Sequence, residues 1–377
     1  MAAHPPFNWT NAPDASIVKW GDHTEHNFIA HDTVALDEER HALVIIDQTK
    51  LPGKMELLFL TETEEIHRAI RTLQVRGAPA IGVTAAIGIY LAARKAAAGN
   101  GGDFYARFTE AKEYLASSRP TAVNLFWALD RMAAVVTARR ELPPAEITAL
   151  LRAEALAIRD EEIATCRAIG EYGLGLIKDG DGILTHCNAG HFATVRYGTA
   201  LAPIHLGRER GMRFRVYTDE TRPLLQGARL SAFELVSHGV DTTVICDNMA
   251  SQVMKNGWID AVFVGCDHVA ANGDVCNKIG TSGVAILAKH YGIPFYVCAP
   301  SSTIDMKIAG GGDIPIEERK AEEVTEMWYR EPMAPPGVKV YNPAFDVTDH
   351  ELVGAIITER GIVRPPLAEG LRRIMGN

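Results

Sequence analysis

The sequence predicts an α/β protein. A mainly helical N-terminal part with a small β region precedes a parallel sheet covered by helices on both faces. Three observations carry this. From Gly182 onward, short apolar β-rich runs alternate with helix-like stretches, the rhythm of a parallel sheet with crossover helices. Between residues 61 and 177 the chain is a succession of alanine-rich helical segments. Before them lie apolar runs of strand length flanking the turn Leu51-Pro52-Gly53-Lys54.

Ala42–Asp47 and Met55–Leu60 are the two strands of the β region. Thr61 with Glu64 has the spacing of a capping box and opens the helical part. Helices are expected over Ile81–Ala98, Tyr105–Ser117, Ala122–Ala138 and Pro144–Ile177, with breaks at Gly99–Gly102 and at Gly180 and Gly182. The sheet strands are Ile183–His186, Phe214–Thr218, Thr243–Cys246, Ala261–Val264 and Phe295–Cys298. The chain thus divides into 1–60, 61–180 and 181–377. The run Ala309-Gly310-Gly311-Gly312 reads as a flexible loop.

Composition narrows the function. The 377 residues, 47% hydrophobic and 23% charged, suit a globular enzyme with ample core. A net charge of −9 gives no basic footprint for nucleic acid. The six cysteines form no C-x-x-C pair and several sit in apolar runs, as expected of a reduced compartment. Met1–Lys19 lacks a signal-peptide pattern, and no uncharged apolar run approaches a membrane span, so a cytoplasmic protein without a membrane partner is expected. Nucleotide-binding glycine motifs and the G-x-S-x-G elbow are missing.

In open parallel sheets ligands bind beyond the carboxyl ends of the strands. Those positions hold Thr185-His186-Cys187-Asn188-Ala189-Gly190, Asp219-Glu220-Thr221-Arg222-Pro223 with Gln226 and Arg229, Asp247-Asn248, and Gly265-Cys266-Asp267-His268 followed by Asn277-Lys278. Each has an ordinary alternative. Cys187 is a core thiol or a catalytic one. Asp267 is the N-cap of the next helix or a general acid. Lys278 is a solvated charge or a phosphate anchor. His186, Cys187 and His191 are metal-ligand types, but adjacent strand residues point to opposite faces and no second cluster completes a set, so no metal is expected. In the N-terminal part, Arg76-Gly77-Ala78-Pro79 opens a helix where free N–H groups and a close backbone approach favour an anion. Ser118-Arg119-Pro120-Thr121 offers a second arginine. Arg76, Arg119 and Lys278 would form a phosphate cradle if their domains face each other.

These motifs together resemble a known family. Asp47-Gln48-Thr49-Lys50-Leu51-Pro52, Arg76-Gly77-Ala78-Pro79, Arg119–Asn124, Thr185–Gly190, Asp219–Gly227, Asn272-Gly273-Asp274 and Asn277–Thr281 are similar, in order and from about Ile46 to Pro366, to the family of methylthioribose-1-phosphate isomerases, ribose-1,5-bisphosphate isomerases and the regulatory subunits of initiation factor 2B. The resemblance implies a helical domain joined to a Rossmann-like domain, a homodimer, no cofactor, and a sugar-phosphate substrate. It implies that Asp267 donates a proton, that Cys187 assists transfer between C1 and C2, and that Arg76, Gly77, Ala78, Arg119, Gln226, Asn277 and Lys278 touch substrate. The expected reaction is the isomerisation of 5-methylthioribose 1-phosphate to 5-methylthioribulose 1-phosphate in methionine salvage. The alternatives are another ribose 1-phosphate (5-deoxyribose 1-phosphate or ribose 1,5-bisphosphate) and a non-catalytic regulatory role, which the intact Cys187 and Asp267 oppose.

Two stretches depart from the family pattern. Gly-Ala-Asp-Arg reads Gly265-Cys266-Asp267-His268, and the small and leucine-like pair after the cysteine motif reads His191-Phe192. They are either compensated packing changes or determinants of the 5-substituent.

Overall fold

A computed structural model describes residues 32–99, 103–120 and 122–376. Met1–Lys19, most of the break at Gly99–Gly102, and Thr121 lie outside them. The chain forms two compact units. One comprises the described residues up to Cys166 together with Gly190–Gly198; the other comprises Arg167–Ala189 and Thr199 onward. The division falls inside a helix, upstream of the glycine break at Gly180.

The first unit opens with an antiparallel sheet, β1 (Val34–Asp37), β2 (Ala42–Ile46) and β3 (Leu57–Leu60), in that order. The helices are α1 (Thr63–Arg71), α2 (Ala78–Ala98), α3 (Phe104–Ala116), α4 (Val123–Ala138) and the part of α5 (Pro144–Leu174) up to Cys166. The capping box exists one residue later than expected. Glu62 is the N-cap, its side chain takes the Glu65 N–H, and Glu65 takes the Glu62 N–H at 3.2 Å. A carboxylate serves as well as a hydroxyl here and also suits the positive helix end.

Helix α2 is apolar all round and lies in the core with Leu43, Ile45, Ile66, Leu115, Leu125 and Leu129. It corrects the expectation that nothing approaches a membrane span. It is long and apolar enough to cross one, yet 78% of the qualifying stretch is buried inside the protein, as in a core helix. Gly77 (φ +94) caps it, and a Cβ there would lie 2.2 Å from the Ala193 oxygen. Only glycine lets this helix start pack on residues 191–193.

Those residues belong to the excursion 190–198, which this unit holds with many polar bonds. Gln48 donates to the Phe192 oxygen at 2.8 Å, the Thr33 N–H to the Val195 oxygen at 3.1 Å, and the Val195 N–H to Glu162 at 3.1 Å; Arg196 pairs with Asp32. Burial lifts the Glu162 carboxyl to about 7 against bonds from Cys166 and Val195 that favour its charge.

The second unit contains β4 (Gly182–Thr185), α6 (Ala202–Glu209), β5 (Arg215–Asp219), α7 (Ala232–Ser237), β6 (Asp241–Ile245), α8 (Ala250–Lys255), β7 (Ala261–Val264), β8 (His268–Ala270), β9 (Val275–Lys278), α9 (Thr281–Tyr291), β10 (Phe295–Cys298), β11 (Ile304–Asp305), α10 (Glu322–Thr325), β12 (Phe345–Thr348), β13 (Ala355–Thr358), β14 (Gly361–Val363) and α11 (Leu367–Met375). Among the described residues, seven strands form one sheet in the order β14-β13-β10-β7-β4-β5-β6, parallel except for β14. The strands β4, β7, β10 and β13 are buried at every residue, as central strands covered on both faces must be. From β4 the chain winds outward through β5 to β6, then returns to the other side of β4 as β7. The sheet therefore reverses its winding between β4 and β7.

A second sheet, β11-β8-β9-β12, grows from the end of β7. Asp267 thus precedes a strand instead of capping a helix; its N–H bonds to the Cys276 oxygen at 2.9 Å. The glycine run expected to be a flexible loop packs on this sheet. The Gly311 N–H donates to Asp274 at 2.9 Å, and a Cβ on Gly311 would lie 2.3 Å from Val347 Cγ1.

Two outcomes are expected. A proton bound to folded Glu162 up to about pH 7 is lost near pH 4.5 in the unfolded chain, so this residue makes stability fall as pH rises between those values. Glu162→Gln should remove that slope and stabilise the protein by roughly 3 kcal/mol at pH 8 but little at pH 4.5, read from denaturant melts. A Cβ on Gly265 would lie 2.5 Å from Ala189 Cβ, where the loops after β7 and β4 touch. Gly265→Ala should cost about 1–3 kcal/mol in the same assay.

Candidate active site

The point where a parallel sheet reverses its winding opens a crevice at the carboxyl ends of the two strands flanking it. Here these are β4 and β7, hydrogen-bonded neighbours with Thr185 beside Phe263. Cys187 follows the first and Asp267 the second. The two residues singled out for chemistry therefore leave adjoining strand ends, and the Gly265–Ala189 approach holds their loops together.

The cysteine turn is built under constraint. Cys187 is 9% exposed and has φ +67, a left-handed conformation that costs a non-glycine residue roughly 1–3 kcal/mol. Its two peptide groups are clamped. The Cys187 N–H donates to Thr221 Oγ1 at 2.8 Å, and Ser231 Oγ donates to the Cys187 oxygen at 2.8 Å. Thr221 is itself left-handed, φ +64. Asp247 holds it by accepting the N–H groups of Thr221 and Arg222 at 2.7 and 2.8 Å. Beyond Ser231 the bonds continue through Asn188 to Glu234 and His205.

His186, beside the cysteine, joins three parts of the unit. Nδ1 faces Asp219 at 2.9 Å and Nε2 faces the Ile279 oxygen at 2.8 Å. Burial opposes a charge on the ring, but the Asp219 carboxylate and the Ile279 carbonyl outweigh it and hold the pKa above the usual histidine value. Gly280 (φ +103) lies against the ring, where a Cβ would come within 2.8 Å. His186, Asp219 and Asp247 could offer ligand atoms within 4.8 Å of one another. Both ring nitrogens already have protein acceptors and Asp247 holds two amides, so the trio reads as a hydrogen-bond framework. His191, grouped with His186 and Cys187 by sequence, belongs to the first unit. Its Nδ1 accepts the Tyr197 N–H at 3.1 Å, which places a hydrogen on Nε2.

The remaining expected contacts fall in both units. In the second, Lys278 is only 9% exposed, with Nζ 4.7 Å from the centre of the Phe345 ring, so it is no ordinary surface charge. Asn277 donates to Thr281 Oγ1 at 3.0 Å, and Asp346 accepts the Gly280 and Ser282 N–H groups. Gln226 is buried, and its side-chain oxygen has no hydrogen-bond partner among the described residues, so a buried acceptor remains to be satisfied there. Arg76, Gly77, Ala78 and Arg119 are in the first unit, the first three at the start of α2. His268 is half-buried with Nε2 3.9 Å from Asp305, and burial lowers its pKa. Sequence reasoning missed Ser231, Glu234 and His205. They sit on buried helical faces with no local signature, and only the fold brings them under the cysteine turn.

Comparisons with known proteins agree with this architecture. A methylthioribose-1-phosphate isomerase of Symbiobacterium thermophilum is 65% identical over 343 residues, 91% of this chain and 96% of that protein. A 5-deoxyribose 1-phosphate isomerase of Clostridium botulinum is 53% identical over 341 residues, 90% of this chain and 97% of that protein. The crystal structure of 5-methylthioribose 1-phosphate isomerase from Pyrococcus horikoshii matches with a TM-score of 0.86 at 43% identity, covering 92% of this chain and 96% of that one. The family model for the initiation factor 2 subunit family spans residues 74–365, and the chain belongs to that family.

Proposed function

We propose that this protein is an aldose–ketose isomerase that converts 5-methylthioribose 1-phosphate to 5-methylthioribulose 1-phosphate, a step of methionine salvage. The observation that carries it is the 65% identity, over nearly the whole chain, to a protein named for this reaction. Cys187 and Asp267 at adjoining strand ends support a catalytic chain over a regulatory one.

The chemistry suits these groups. The phosphate on the anomeric oxygen locks the sugar as a ring, so opening needs an acid at the ring oxygen. Asp267 is assigned that proton. One hydrogen must then pass from C2 to C1. Cys187 as a thiolate would carry it as a proton through an enediol; a water-poor site would let it move as hydride. Lys278 supplies charge for the phosphate, Gln226 and Asn277 supply polar contacts, and Arg76, Gly77, Ala78 and Arg119 are assigned to substrate as well. No cofactor enters this scheme; the family resemblance suggests a homodimer, and the sequence pattern a cytoplasmic one.

A second reading, 5-deoxyribose 1-phosphate as substrate, is favoured by the relative at 53% identity and by His268 beside the acid.

Turnover of 5-methylthioribose 1-phosphate should exceed that of 5-deoxyribose 1-phosphate and ribose 1,5-bisphosphate; the reverse order would transfer the assignment to the preferred sugar. Cys187→Ser and Asp267→Asn should each lower kcat by about 10²–10⁴-fold in folded protein. Full turnover by Asp267→Asn would remove it as the acid. In D2O, deuterium at C1 of the product marks exchange with solvent and hence the proton route. Light scattering should give twice the mass of the chain.

A further inference from the structure

We infer that Glu234, acting through Asn188 and Ser231, is a positioning residue for Cys187. The inference rests on the catalytic reading of Cys187. It starts from an accounting of hydrogens. Ser231 has one hydroxyl hydrogen, and it goes to the Cys187 oxygen at 2.8 Å. It can stay there because Asn188 Nδ2 approaches Ser231 Oγ from the other side as a donor, at 3.0 Å. The Asn188 amide keeps its nitrogen on that side because Nδ2 also meets Glu234 Oε2 at 3.2 Å. Glu234 is oriented in turn by His205, whose Nε2 lies 3.1 Å from Oε1. Ser231, Glu234 and His205 are fully buried and Asn188 is 3% exposed, so water cannot replace a lost partner cheaply.

This chain ends on a backbone that needs restraint. At φ +67 Cys187 relaxes unless both flanking peptides are held. Thr221 holds the N–H side. The oxygen side is the one Glu234 sets. Without the carboxylate, the amide can flip, the serine hydroxyl can turn away, and the thiol leaves its place.

The test uses Glu234→Met, which removes both carboxylate acceptors while largely filling their space, together with Ser231→Ala and Ser231→Thr. Expected are a ten- to hundredfold fall in kcat with KM within threefold for the first two, and recovery of most of kcat in Ser231→Thr. Iodoacetamide labelling of Cys187, followed by peptide mass spectrometry without substrate, should speed up at least fivefold. The exposed Cys246 serves as the unchanged internal reference. Variants that melt earlier yet keep wild-type kcat and Cys187 labelling would overturn the inference and leave the network merely structural. Full turnover by Cys187→Ser would instead remove the catalytic reading, and the labelling rates would still decide whether Glu234 sets the turn.

Discussion

The buried imidazole of His186 meets an acceptor at each nitrogen, Asp219 on one side and the Ile279 carbonyl on the other. An imidazole so placed cannot rotate or give up a hydrogen without leaving a buried polar atom unpaired, which costs more than an ordinary hydrogen bond contributes. Its position therefore fixes the spacing of the end of β4, the end of β5 and the turn after β9. The cysteine turn follows His186 directly, and Asn277 and Lys278 precede Ile279. Thus a single ring sets the distance between the thiol loop and the lysine loop. The same demand for space explains Gly280, where any side chain would meet the ring.

Much of this was legible beforehand where local signals were strong. Ala261–Val264 and Phe295–Cys298 were expected as strands with the bounds observed, because central parallel strands are short and wholly apolar. The helical segments ended within a few residues of expectation because alanine-rich stretches bounded by glycine and proline leave few options. The family could be read because its motifs sit at strand ends, where function constrains several neighbouring residues at once.

What escaped was non-local. The sheet β11-β8-β9-β12 has strands of two to four residues, two of them far along the chain. Gly273 at φ +96 closes the turn between β8 and β9, its N–H on the Ala270 oxygen at 2.9 Å, but His268–Ala270 is too short to show alternation. Glu234 lies among Phe233, Leu235 and Val236 and reads as one polar residue in an apolar helix. Only the fold places it under Asn188. The framework role of His186 was hidden for the same reason: Asp219 is 33 residues away and Ile279 is 93.

The excursion 190–198 has a mechanical consequence. It begins one residue after Ala189 and ends one residue before Thr199, and the N–H groups of Thr199 and Leu201 both bond to the Ala189 oxygen, at 2.9 and 3.3 Å. The two ends of the loop are thus clasped at its neck. The clasp therefore closes the backbone of the second unit on itself two residues after the thiol, so the cysteine turn is bounded downstream by hydrogen bonds of its own unit.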